Sequence, residues 1–376
     1  MKKSRLFSLT ECGQEVWHDD LYRELVLSGM LRKMIDEDGV SGLTSNPTIF
    51  ENALKNDPIY RHDMEKLIAA GKSLDEVYHS LLFTDIRLAA QAFEKLYDSS
   101  KGELGHVCLE ISPLLAYDEA GTYEEVKKVV AECGVENLLI KVPGTEEGAQ
   151  AIERLVSEGY GINVTLLFSP RHYERVARAY IDGLKARAER GERLDTVRGV
   201  ASVFMSRIDT AVDGLLTNII ESDATEGTKE KARSLLGAAS VAIGRLVYRT
   251  FLELFDTDEF AALEEQGAHV QKPLWASTGT KNPAYSDVKY VESFIYPDTV
   301  VTMPAQTMEA FRDHGNAEIA PQDFEEQEKV LESLAELGID IDEVCDDLQV
   351  RGARAFVDSY RATQAIIEEE MEKGLS

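Results

Sequence analysis

Short apolar runs alternate with longer stretches in which apolar positions recur at helical spacing along most of this chain. Eight runs read as strands, at residues 15–19, 39–44, 107–112, 137–143, 161–168, 199–204, 272–278 and 298–304. Between them, Leu21, Leu25, Leu31, Met34 and Ile35 predict one helix. Others are predicted after Pro47, at 74–97, at 123–133 and from Thr145, whose Thr-Glu-Glu opening supplies an N-cap and an acidic first turn. Ser169-Pro170 reads as N-cap and first position of the next helix, and a long helical region covers about 208–255.

Eight strands alternating with helices predict an α/β fold, a (β/α)8 TIM barrel of parallel strands with the helices outside. A doubly wound open sheet is the alternative, but no GxGxxG follows any of the strands. A barrel takes about 250 residues, so a chain of 376 carries more. The surplus falls in the acidic segment 256–268 and in two helical stretches at 325–337 and 341–371, packed on or across the barrel. No linker rich in Gly, Pro or Ser divides the chain. The expectation is one domain over 1–376, with the barrel at about 13–305 and a C-terminal helical extension at about 306–376.

The formal charge of −28 argues against nucleic acid and anionic membranes as partners. No run approaches the roughly 18 apolar residues of a membrane span, and the start MKKSRLFSLTECG has no apolar core of a signal peptide. Cys12, Cys108, Cys133 and Cys345 are dispersed without a CxxC pair, which suits free thiols and a cytoplasmic location. The seven histidines show neither HxxxH nor HxH spacing, so no metal site is expected.

One lysine changes the picture. In Asn137-Leu-Leu-Ile-Lys141-Val-Pro-Gly-Thr145, Lys141 interrupts an apolar strand just before it closes. An amine in an apolar pocket is disfavoured as ammonium and becomes a nucleophile able to form a Schiff base with a carbonyl. A lysine snorkelling from a strand end is the plain alternative. What tips the balance is the company Lys141 keeps.

Barrel active sites lie at the C-terminal ends of the strands. Asp19 ends the first strand and Asn46 follows the second; Glu110 lies in the third, Lys141 in the fourth, Asn163 and Thr165 in the fifth, Ser202 in the sixth and Ser277 in the seventh. Each has an ordinary reading: Asp19 as a helix cap (with Asp20 the better candidate), Asn46-Pro47 as a turn, Ser202 as core, Arg207 as a solvated helix residue. Glu110 in an apolar strand is harder to set aside, because a buried carboxylate needs a partner or a raised pKa. Ser277-Thr-Gly-Thr-Lys281-Asn is a small loop with a cation after strand seven, a place where barrels hold phosphate.

These residues carry a resemblance. Thr44-Ser45-Asn46-Pro47-Thr48, Ile140-Lys141-Val-Pro143 and Asn163-Val-Thr165-Leu, in this order, closely resemble transaldolase. Gly13-Gln14-Glu-Val-Trp17-His-Asp19 and Leu274-Trp-Ala-Ser277-Thr-Gly-Thr-Lys281 point to its longer bacterial branch. The resemblance implies a Schiff base on Lys141, with Asp19 and Glu110 as catalytic carboxylates and Thr165 positioning a catalytic water with Glu110. It implies donor hydroxyls held by Asn46 and Asn163, with Thr44 supporting, and phosphate held by Ser202 and Arg207. Many members carry a further arginine after strand seven; here Lys281, beside Ser277, stands in that stretch as a point cation.

The activity so implied is transfer of a dihydroxyacetone unit between sugar phosphates in the non-oxidative pentose phosphate pathway, with no metal or organic cofactor. Fructose-6-phosphate aldolase, which releases dihydroxyacetone to water, is the alternative; its members are shorter and usually lack the strand-three carboxylate. The oligomeric state is open, a homo-oligomer included.

Overall fold

The computed structural model describes residues 4–374. Eight parallel strands close into one barrel in sequence order: β1 (Gln14–His18), β2 (Val40–Leu43), β3 (His106–Glu110), β4 (Leu138–Pro143), β5 (Ile162–Leu167), β6 (Gly199–Phe204), β7 (Gln271–Ala276) and β8 (Thr299–Met303), with β8 pairing back onto β1. Every residue of β4, β5 and β6 is buried. That is why these segments read as continuous apolar runs: helices cover one face and the barrel interior fills the other. The (β/α)8 expectation holds, and no single helix among the described residues is long and apolar enough to cross a membrane.

Local signals set the helix starts. Ser73 and Glu76 form a reciprocal cap at Leu74–Ser99, and Thr145 and Ser169 accept from Gly148 N and His172 N to open Glu146–Glu158 and Pro170–Glu189. Three expected helices are broken. The one over 21–35 is Arg23–Leu27 and Met30–Asp38, parted by Gly29 at φ 79°. The stretch after Asn46 is Pro47–Asn56 and Pro58–Ala69, with Asp57 capping the second. The region 208–255 is Met205–Glu221, Glu226–Ser234 and Ala239–Phe255, interrupted where Thr225 caps and where Gly237 takes φ 71°. The acidic segment forms Asp258–Glu264, tied to Pro170–Glu189 by Lys185–Glu259 at 2.6 Å.

Neither Asp19 nor Asp20 caps the first helix after β1, which starts at Arg23 with Tyr22 in the cap position. Asp20 instead takes a backbone hydrogen bond from Ala305, the first residue of the helix after β8 (Ala305–His314).

The C-terminal extension contributes Phe324–Glu336 and a final helix, Ile341–Gly374, of 34 residues and about 50 Å at 1.5 Å per residue. The final helix packs on Pro47–Asn56, Leu74–Ser99, Met205–Glu221, the turn Pro113–Leu115 and β5, so it lies across the C-terminal mouth of the barrel. Its buried positions, among them Cys345, Gln349, Phe356, Tyr360, Thr363 and Ile367, recur every three or four residues. Cys345 Sγ donates to Phe168 O at 3.1 Å, Thr48 and Ser359 hydroxyls meet at 2.9 Å, and Tyr360 meets Tyr78 edge-on.

Candidate active site

Register places three of the anticipated residues on one level of the barrel. Glu110 pairs with Lys141 across β3 and β4, and Lys141 with Asn163 across β4 and β5. Side chains two apart on a strand share a face, so Cys108 joins Glu110, and Thr165 joins Asn163, toward the interior.

Lys141 is 3% exposed. Its Nζ donates to Ser45 O at 2.9 Å and stands 3.4 Å from Glu110 Oε2. The Ser45 carbonyl belongs to the chain leaving β2, so the bend that carries Asn46 also seats the amine. Burial pushes the Glu110 carboxyl up to about 7 against the pull of Lys141, and it pushes Asp19, at the end of β1, to about 7 as well. Both oxygens of Glu110 and Thr165 Oγ1 are buried without a hydrogen-bond partner among the described residues. Such atoms are costly unless a ligand or water meets them.

The amides are oriented by neighbours. Asn46 caps Pro47–Asn56, its Oδ1 accepting from Ile49 N at 3.0 Å, which leaves Nδ2 as the donor for a ligand. Both the turn reading and the ligand reading of Asn46 are therefore compatible. Asn163 is fully buried: Ser202 Oγ donates to its Oδ1 at 2.8 Å, and its Nδ2 donates to Cys108 Sγ at 3.1 Å. Ser202 thus reaches the site through Asn163. Thr44, 3% exposed, ties β2 to β1 through its N–H to His18 O at 3.0 Å.

A cationic corner lies beside this group. Arg207 opens the helix Met205–Glu221 after β6, its guanidinium 5.1 Å from the centre of the Phe204 ring. Burial lowers its pKa, while Asp19 and Glu110 oppose that shift. Lys281 feels the Arg207 charge, and burial together with that charge lowers its pKa. Ser277, at φ 54°, accepts from Ser206 N through its carbonyl at 3.1 Å, and the two hydroxyls meet at 2.9 Å. Arg207 at a helix N-terminus, with the Lys281 charge close enough to be felt, suits a phosphate group.

The structure places Glu110, Lys141, Asn163, Thr165 and Ser202 on β3 to β6, Asp19, Thr44 and Asn46 just past the C-terminal ends of β1 and β2, and Arg207, Ser277 and Lys281 just past those of β6 and β7. Sequence reasoning passed over Cys108, Ser206 and the Ser45 carbonyl. Cys108 was within reach, since it alternates with Glu110 on β3; the Ser45 carbonyl was not, because a backbone group carries no residue signal.

Comparison with known proteins identifies the family. The family model described as transaldolase/fructose-6-phosphate aldolase matches residues 16–367. The chain is 40% identical to a transaldolase of Trichodesmium erythraeum over 99% of both chains. It is 44% identical to a transaldolase of Thiobacillus denitrificans over 96% of this chain and 98% of the relative, and 38% identical to one of Saccharopolyspora erythraea over 98% of both. The chain belongs to the transaldolase/fructose-6-phosphate aldolase family.

Proposed function

We propose that this chain is a transferase that moves a dihydroxyacetone unit from a ketose phosphate to an aldose phosphate through an imine on Lys141. Donors are sedoheptulose 7-phosphate or fructose 6-phosphate, and acceptors are glyceraldehyde 3-phosphate or erythrose 4-phosphate. Family membership carries the activity; one observation supports its assignment to Lys141. The amine is buried 3.4 Å from Glu110, whose carboxyl oxygens, like Thr165 Oγ1, have no other partner among the described residues.

Neutral Lys141 adds to the C2 carbonyl, and the carbinolamine loses water as Glu110 protonates the departing hydroxyl, with Thr165 orienting the water. The imine withdraws electrons from C3. Ionised Asp19 then takes the C4 hydroxyl proton, the C3–C4 pair flows into the imine, and an aldose phosphate leaves. The enamine stays on Lys141, with its hydroxyls on Asn46 and Asn163. It attacks the aldehyde carbon of the second substrate, Asp19 returns the proton, and water releases the new ketose. Two carboxyls whose pKa values both lie near 7 can each hold or give up a proton at neutral pH. Arg207 and Lys281, with Ser206 and Ser277 beside them, hold the phosphate; on a chain of charge −28 only such a local cationic corner offsets repulsion of the substrate.

We place this reaction in the non-oxidative pentose phosphate pathway of the cytoplasm, and read barrel and extension as one domain because the final helix packs on the barrel's own loops. Relatives named transaldolase favour transfer over release of free dihydroxyacetone. The test is mass spectrometry after fructose 6-phosphate and borohydride. Wild type gains one reduced dihydroxyacetone unit on Lys141 and, given erythrose 4-phosphate, makes sedoheptulose 7-phosphate; Lys141→Ala does neither. A folded, sugar-binding wild type without the adduct sinks the proposal.

A further inference from the structure

Leu166, directly after Thr165, has a φ of 62°. That left-handed conformation is uncommon for a residue with a side chain, and it persists where surroundings over-determine it. It coincides with a bulge: β5 pairs with β6 as Val164 with Ala201, then resumes as Leu167 with Val203, so one extra residue is accommodated between. Bulges re-aim the side chains beside them, and the side chain here is that of Thr165.

One contact to this segment comes from the far end of the chain. Gln349, buried on the final helix, donates through Nε2 to Leu166 O at 2.8 Å and to Gly144 O at 3.2 Å. Gly144 N donates in turn to Thr165 O at 2.8 Å. One carboxamide therefore ties the end of β4, just past Lys141, to the bulge of β5. The helix approaches this closely because position 352 is glycine: a Cβ there would stand 2.8 Å from Leu166 Cδ2.

We propose that Gln349 is a positioning residue for the two water steps of the reaction. By holding the Leu166 carbonyl it fixes the bulge that presents the Thr165 hydroxyl to the water leaving or entering at C2. The inference rests on Lys141 forming the imine. Breaking the C2–O bond, with Glu110 supplying the proton, and its reversal on hydrolysis run through Thr165. Cleavage of C3–C4 runs through Asp19, just past β1, and does not.

The experiment is rapid borohydride quenching of single turnovers with fructose 6-phosphate, separating the trapped six-carbon adduct from the three-carbon one. Gln349→Met, similar in shape but without the donor, slows appearance of the first adduct roughly tenfold, with KM within about twofold of wild type. The later conversion of six-carbon to three-carbon adduct keeps its rate. Ser359→Ala removes another anchor of the same helix, at Thr48, and leaves both steps unchanged. Replacing Leu166 by glycine in the Gln349→Met background recovers part of the lost rate, since glycine takes the left-handed conformation without strain. If Gln349→Met does not melt cooperatively, Gln349→Asn, too short for both carbonyls, is read in its place with the same expectation. Imine formation at the wild-type rate overturns the proposal, as does an equal loss in Ser359→Ala, which would mean helix docking alone. Wild type that traps no adduct overturns the imine reading itself, a result distinct from either.

Discussion

Glu110 and Lys141 face each other across the β3–β4 pairing, Glu110 Oε2 and Lys141 Nζ 3.4 Å apart and almost sealed from solvent. In the proposed mechanism Glu110 gives up and regains a proton beside this amine in each half-reaction. Glu110→Gln keeps the shape and removes the exchangeable proton. Imine formation should slow by about 10²–10⁴, read by stopped-flow trapping with fructose 6-phosphate.

Asp19 should set a pH dependence of opposite sign in activity and in stability. Its pKa is raised by burial from 3.8 to about 7, so the base is ionised only above that pH and the rate should climb through about 7. The folded state binds this proton more tightly than the unfolded chain does. The associated stability is therefore complete below about pH 4 and is lost as pH rises through about 7. Asp19→Asn should lose the rate limb and melt above wild type at pH 8, with the gap closing toward pH 4. Calorimetry across that range, with wild type the more stable at pH 8, would contradict the assignment.

At the cationic corner the two charges should not be equivalent. Arg207→Ala removes a planar fork beside the reacting groups and should raise KM for fructose 6-phosphate by roughly 10–100-fold, the scale of one or two charge-assisted hydrogen bonds. Lys281→Ala, on the loop after β7, should cost about tenfold or less and more at low salt than at high. Steady-state kinetics at two ionic strengths decide it.

The Asn163 amide rests on a thiol. Cys108→Ala deletes the acceptor of its Nδ2 without adding bulk, and should lower kcat/KM by about tenfold, the cost of leaving a buried donor unsatisfied. Cys108→Ser, which restores an acceptor, should recover most of that, and equal losses in both variants would show that volume and not hydrogen bonding matters.

Away from the site, Arg23 is 2% exposed, with Nε 2.7 Å from Asp85 and a further contact to Asp63, while Tyr60 donates to the same Asp85 at 2.6 Å. This cluster pins the helix after β1 to those after β2. Arg23→Met leaves a buried carboxylate unpaired and should cost about 3–5 kcal/mol in denaturant unfolding, without changing KM.

The barrel and the ring of polar strand ends were legible because each rests on a local pattern. Lys141 stood out as a cation in an apolar run, and Glu110, Asn163 and Thr165 as polar residues where a barrel interior wants Val or Leu. What escaped depended on distant partners. Nothing near Ser202 announces that its hydroxyl serves Asn163. Leucine is among the last residues one would assign to the left-handed region at position 166, and the group that secures it is 183 residues away. The breaks within 208–255 were missed for a different reason: apolar spacing continued through a cap and a glycine that ended the helices.

That separation bears on when during synthesis the site becomes complete. Gln349 leaves the ribosome 183 residues after Leu166, when β1 to β8 have all been made. Until then the ends of β4 and β5 are joined without the Gln349 carboxamide, by Gly144 N to Thr165 O and by the strand pairing itself. If Gln349 positions Thr165 as proposed, that positioning is among the last features of the site to be made as the chain is translated.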